Sequence, residues 1–293
     1  MLGQTNGRGY MKKLYVSLGV TVGLVVVLLT ALPTILHAAG LHPIYEGPAI
    51  ALPGKRALII TTSHNVLAKP GETEGPETGV MASEFTHPYY TFLDGGMSVD
   101  LASIKGGLIP IDPQTLSYPV STPEDRRYLD DAIAQAKVQN SLAIADVDVS
   151  QYDIVFISGG WGAAYDLAQT PAMAEKMTQA YYGERVAVIG GVCHGVLGLV
   201  KAKDNEGNTL IAGRRMTGVS DKQIKELGIE MTPLHPETEL RKAGALYESQ
   251  TAFRDIFATH VVVDDEQRFV TGQNQNSGLE TAHRMMQLIA ERG

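Results

Sequence analysis

The segment VAVIGGVCHGVLGLV, residues 186–200, contains the only cysteine of a 293-residue chain. Its first half is a β-branched, apolar run that reads as a buried strand, and HGVLGLVKA after it reads as the start of a helix. Cys193 therefore falls on a strand-to-helix turn, with Gly191 two residues before it and Gly195 two after. That is the spacing of a nucleophile elbow, in which glycines permit a tight, strained turn that lifts one side chain above the sheet. Helix-start N–H groups and the helix dipole favour the thiolate, drawing a thiol pKa from about 8.5 toward roughly 3.5–7.5. The same N–H groups can stabilise a developing oxyanion. A lone cysteine is more commonly a small buried core residue. The paired glycines and flanking elements set Cys193 apart from that background as a reactive thiol.

Outward from this turn, RALIITT (56–62), MSVDLAS (97–103), YDIVFIS (152–158) and RVAVIG (185–190) are short and apolar on both faces, as buried parallel strands are. Helical patterns lie between them at residues 79–93, 124–140 and 171–182. THVVVDDEQRFVTG reads as a hairpin, and residues 277–292 as a closing helix. This alternation implies an α/β fold, a doubly wound parallel sheet with helices on both faces. No internal repeat is visible.

The N-terminus differs. Arg8, Lys12 and Lys13 precede an uncharged run over residues 14–36, which at ~1.5 Å per residue reaches about 34 Å, enough to cross a hydrocarbon core. Residues 1–39 are read as a transmembrane anchor, with a cleaved signal peptide as the alternative; 40–54 are a tether and 55–293 one catalytic domain. Either reading leaves the positive end in the cytoplasm and the domain extracytoplasmic, anchored in the first case, secreted or periplasmic in the second. The net charge of −8 argues against a nucleic-acid partner, and one cysteine permits no internal disulfide.

A thiol needs an acid–base partner. His194 is adjacent in sequence, and adjacent side chains usually diverge, so spacing leaves its role open. Glu84, in TGVMASEFTHPYY, falls on the helix after the first strand, whose first turn gathers with the elbow at the carboxyl ends of the strands. Its apolar neighbours would desolvate the carboxyl and raise its pKa into acid–base range. In FISGGWGAAYDL, Gly159 and Gly160 follow another strand, where bare backbone can approach a substrate or supply an oxyanion N–H. Two Glu-x-x-His pairs, Glu84/His87 and Glu280/His283, are half of a di-iron pattern that belongs to a four-helix bundle, so no metal or other cofactor is expected. Pro88 also disfavours helical geometry at His87.

Taken together, TGVMASEFTHPYYTFLDGGMSVDLASIKGGLIPIDPQTL, DIVFISGGWG, GGVCHG, MTGVSD and FVTGQNQNSG resemble the ThiJ/PfpI superfamily, from about Arg56 to the C-terminus. The resemblance implies a class I glutamine amidotransferase-like fold, a flavodoxin-like three-layer sandwich, and is nearest the chaperone-like glyoxalase III branch. It implies Cys193 as nucleophile, His194 beside it, Glu84 as the carboxylate that contacts the sulfur, and Asp221 of MTGVSDKQ as the third acid. An Asp at a helix start is otherwise usually an N-cap. Many relatives carry histidine where this chain has Trp161, which places an indole in the substrate pocket. The implied activity is cofactor-independent, thiol-dependent chemistry on a small reactive carbonyl: glyoxalase III conversion of methylglyoxal to lactate, or a related deglycation. The alternatives are a stress-response holding chaperone or redox-sensing module, and a cysteine peptidase or amidohydrolase using the Gly160 and His194 amides. Relatives often form homodimers.

Overall fold

The structure, a computed structural model, describes residues 7–292; Met1–Asn6 and Gly293, at the ends of the ranges read from sequence, lie outside the described residues, as does the side chain of Arg8. The chain divides between Leu41 and His42 into two units. The first contains helix α1 (Gly7–Ala38), of which Tyr10–Ala38 has mean hydropathy 2.3 and is long and apolar enough to cross a membrane. Two of its hydroxyls bond within the helix: Thr21 donates to the Ser17 carbonyl at 2.9 Å and Thr30 to that of Val26 at 3.0 Å.

The second unit is built on nine strands: β1 (Arg56–Thr61), β2 (Ser98–Ser103), β3 (Leu142–Ala143), β4 (Ile154–Ile157), β5 (Val188–Val192), β6 (Arg215–Met216), β7 (Leu246–Tyr247), β8 (Val261–Val263) and β9 (Phe269–Gly272). Seven form one sheet in the order β3-β2-β1-β4-β5-β9-β8, parallel except for the β8–β9 hairpin at one edge; β6 and β7 pair separately. The alternation of the strand sequences appears as two cores. Ala57, Ile59, Ile154 and Phe156 face one, with Phe85 and Met285, while Leu58, Ile60, Val155 and Ile157 face the other, with Met173 and Met177. Each fully buried aliphatic or aromatic side chain contributes ~1.5–3 kcal/mol. Helices α2 (Ala82–Asp94) and α9 (Gly278–Arg292) supply Phe85 and Met285 to the first layer; α6 (Pro171–Tyr182) supplies Met173 and Met177 to the second. The arrangement is a flavodoxin-like α/β sandwich.

Strand order reverses at β1, with β2 on one side and β4 on the other. The crevice at the carboxyl ends of these strands is where doubly wound folds hold ligands.

Four details depart from the sequence reading. The helix expected over 124–140 is two, α3 (Pro123–Asp130) and α4 (Ala132–Gln139), because the Asp131 carboxylate accepts the Ile133 and Ala134 N–H groups and caps the second. Residues 193–199 form a fully buried 3-10 run with Gly195 and Gly198 inside it, in place of an α-helix start. Pro88 lies inside α2, which continues through His87. Of residues 40–54, read as a tether, those from His42 on belong to the second unit: the Tyr45 ring stacks on His283 at 3.5 Å, and Leu52 enters the core.

Candidate active site

Three adjacent strands place the site: α2 follows β1 and carries Glu84 in its first turn, Gly159 and Gly160 follow β4, and Cys193 follows β5. Cys193 has φ 55°, a left-handed conformation that costs an L-residue ~1–2 kcal/mol and recurs at functional sites. The strain sits on the cysteine. Gly191 and Gly195 have no such φ; a Cβ on either would stand 2.3 and 2.2 Å from the Ile157 carbonyl oxygen. The paired glycines therefore let the elbow press against the end of β4, which differs from the turn-forming role expected of them.

The second glycine pair closes the site from the β4 side. Gly160 does need its conformational freedom, with φ 89° and the Met81 amide 2.3 Å from a would-be Cβ. A Cβ on Gly159 would meet Glu84 Oε2 at 2.5 Å and the amides of His194 and Gly195 at 2.8 Å. The Gly159 N–H donates to Glu84 Oε2 at 2.8 Å.

Pro88 has a further consequence. Lacking an N–H, it leaves the carbonyl of Glu84, four residues earlier, without its helical donor. The Ser158 hydroxyl fills that place at 2.9 Å, so α2 is pinned to the end of β4 at the residue that carries the carboxyl. Ser158→Ala is expected to lower stability by ~1–3 kcal/mol, the cost of orphaning a buried carbonyl. Pro88→Ala in that background restores an N–H and should recover part of the loss, as read from urea midpoints of the single and double variants.

The site's electrostatics follow from burial. Cys193 is 7% exposed and lines a cavity; Glu84 and His194 are buried beside it. Burial raises the Glu84 carboxyl to about 8, against the opposing pull of the Cys193 thiol and the Gly159 and Gly160 amides. Carboxyl and sulfur shift one another without the alignment of a formed hydrogen bond, and Glu84 Oε1 is buried and unpartnered. The thiol is not lowered as the elbow motif implied. Burial, then the Glu84 carboxylate, push it well above its ordinary range, while the N–H groups of His194 and Gly160 work the other way. Those two amides are the pair expected to form an oxyanion cradle. His194 Nδ1 lies 3.4 Å from the sulfur; burial, then His235, lower its imidazole to about 3, so the ring is neutral. Its Nε2 and that of His235 are both buried without a hydrogen-bond partner.

Cys193, His194, Glu84, Gly160 and Trp161 all line one cavity of about 160 Å³. Asp221 does not. It is the exposed first residue of α7 (Asp221–Leu227), where its carboxylate accepts from Thr238 at 2.8 Å. Ser220 caps that helix, accepting from the Gln223 N–H at 3.0 Å; Gln223, ~200° further round the helix than Asp221, reaches the cavity. The S-x-x-Q spacing of Ser220 and Gln223 is the signal that finds it. His235, at the cap of α8 (Pro236–Lys242), and Ser158 carry no comparable signature.

A family model described as the DJ-1/PfpI family matches residues 77–288. Glyoxalase 3 of Candida albicans is 27% identical over 238 residues, covering 78% of this chain and 95% of that protein. The glutathione-independent glyoxalase HSP31 of Saccharomyces cerevisiae is 27% identical over 248 residues, covering 80% and 98%. Among solved structures, the Rapid Encystment Protein 24 kDa of Francisella tularensis superposes with a TM-score of 0.72 at 32% identity, covering 80% of this chain and 99% of that one. With a matching fold, a strained cysteine after β5 and a buried glutamate after β1, the chain belongs to the DJ-1/PfpI family.

Proposed function

We propose that this chain is a glyoxalase that converts methylglyoxal and water to lactate without glutathione or any other cofactor. The observation that carries the reading is the Cys193 thiol on its strained elbow, sharing one buried cavity with a carboxyl raised to about 8. Two of the relatives bear glyoxalase names, one of them glutathione-independent, which supports the same reaction class.

The chemistry uses this chain's own groups. The Glu84 carboxylate takes the Cys193 proton as the sulfur adds to the aldehyde carbon of methylglyoxal and passes it to the new alkoxide, giving a hemithioacetal whose oxygen is held by the Gly160 and His194 amides and leaving Glu84 a carboxylate again. Glu84 then moves a proton from the former aldehyde carbon to the neighbouring carbon while the hydroxyl proton passes to that carbon's oxygen, turning hemithioacetal into thioester. Water cleaves the thioester, releasing lactate and restoring the thiol. A carboxyl near 8 suits both directions of transfer, since it holds and yields protons near neutral pH. Neutral His194, its Nδ1 3.4 Å from the sulfur, orients the thiol without carrying charge.

The test is proton NMR of methylglyoxal incubated with the purified chain in thiol-free buffer. Lactate should accumulate stoichiometrically; methylglyoxal that persists, or disappears without lactate, overturns the assignment. We further propose that helix α1 anchors the chain, with Lys12 and Lys13 on the cytoplasmic side and the catalytic unit outside. Retention in membranes after an alkaline carbonate wash checks this, and release opposes it.

A further inference from the structure

Beside Cys193, Glu84 and His194, the lining of the cavity exposes mainly apolar surface, with Met81, Val120, Trp161, Val219, Leu227 and Ile256, among which Thr115 and the amides of Gln114, Gln223 and Gln275 are interspersed. Methylglyoxal presents only a methyl group beyond its two carbonyls, and six apolar side chains exceed what a methyl can touch. The volume, about 160 Å³, matches the ~150 Å³ of an apolar cavity that takes up benzene. No lysine or arginine lines it. Its acidic members are Glu84 and Asp112, the latter turned to Thr78 Oγ1 at 3.0 Å and the Gln114 N–H at 3.0 Å. A carboxylate- or phosphate-bearing carbonyl therefore finds no countercharge there.

We propose that the preferred substrates are neutral 2-oxoaldehydes bearing a branched alkyl or aryl group, with Trp161 as the main specificity-determining residue. The inference rests on the glyoxalase reading of the same cavity. Trp161 follows Gly160 and lines the same cavity as Cys193, so its indole forms part of the wall open to the group attached to the reacting carbonyl pair. An apolar pocket discriminates by roughly 10–200-fold for each methylene it can enclose. The reaction is the one already described: the thiol adds to the aldehyde, one proton moves between the two carbons, and water releases a 2-hydroxy acid.

The experiment compares kcat/KM of the full chain for methylglyoxal, isopropylglyoxal, phenylglyoxal and 4,5-dioxopentanoate, a carboxylate-bearing 2-oxoaldehyde, for wild type, Trp161→Ala and Leu227→Gln. Isopropylglyoxal separates apolar fit from the greater electrophilicity of the aryl compound. Wild type should favour the two bulky neutral substrates over methylglyoxal by ~10-fold or more, and process 4,5-dioxopentanoate ~100-fold less well than them. Trp161→Ala should reduce the bulky-to-methyl ratio ~10-fold, and Leu227→Gln, which makes another part of the lining polar, should reduce it as well. Methylglyoxal turned over as well as or better than the bulky pair overturns the substrate class while leaving the glyoxalase reading intact. A preference that neither variant alters overturns the assignment to this wall. Failure with every 2-oxoaldehyde defeats both readings.

Discussion

Replacing Cys193 by alanine is expected to lower kcat/KM for methylglyoxal by roughly 10⁴-fold or more, to the level of free solution. No other described side chain in the cavity can form the hemithioacetal: His194 is neutral but tied to the sulfur's side of the site, and Glu84 is the proton carrier. The loss should appear in kcat and in kcat/KM alike, since the covalent bond exists only once reaction has begun. Alanine keeps the Cβ and the φ of 55°, so the elbow's strain is unchanged and the thermal midpoint should move by only a few degrees. Lactate formation that survives in a folded Cys193→Ala variant would remove the thiol from the mechanism. The same measurement separates catalysis from a holding activity, which requires exposed apolar surface and no nucleophile.

What could be read from the sequence follows the range of the interactions involved. Strands β1, β4 and β5 are apolar on both faces, and that pattern alone requires cover on both sides, so the doubly wound sheet was legible. The elbow was legible because Gly191 and Gly195 bracket Cys193 at fixed spacing, although the reason for them is the Ile157 carbonyl, a contact across strands. Glu84 could be placed near the sulfur by topology. Its proton affinity could be placed only in direction, since the final value depends on burial against Gly159 and on the thiol itself. The thiol's own shift was misread because motif reasoning counts helix N–H groups and omits desolvation, here the larger effect. Asp221, expected as the third acid, does not reach the cavity, because Ser220 takes the cap and Asp221 accepts from Thr238. Ser158 could not be found at all: its role exists only because Pro88, seventy residues earlier in the chain, leaves a carbonyl open.

The pH dependence of the rate gives the sharpest test of the Glu84–Cys193 pair. Below about 8 the carboxyl and the thiol both hold their protons, so the pair contains neither a base nor a thiolate. Losing one proton produces the reactive form, whichever of the two atoms carries the remaining one. Log kcat/KM should therefore rise with unit slope and level off near pH 8, and His194, lowered to about 3, should add no limb between pH 5 and 9. Glu84→Gln keeps an acceptor for the Gly159 N–H but removes the base, so activity at pH 7.5 should fall ~10²–10⁴-fold and the limb should move above 8. Stability should change in the opposite sense. The Glu84 pKa is about 8 folded and near 4.5 unfolded, so the folded state binds the extra proton between those values. The carboxyl's cost to wild-type stability therefore grows as pH rises from 4.5 and is complete above 8. At ~1.4 kcal/mol per pH unit the ceiling is ~5 kcal/mol, and partial solvation during local opening brings the expected gain of Glu84→Gln at pH 9 to ~2–5 kcal/mol. Below pH 4.5 both side chains are neutral and the gain should vanish, as urea midpoints at pH 4 and 9 would show. A rate limb centred near pH 5 and unmoved by Glu84→Gln would instead mean a preformed thiolate, and the carboxyl would lose its place in the proton path.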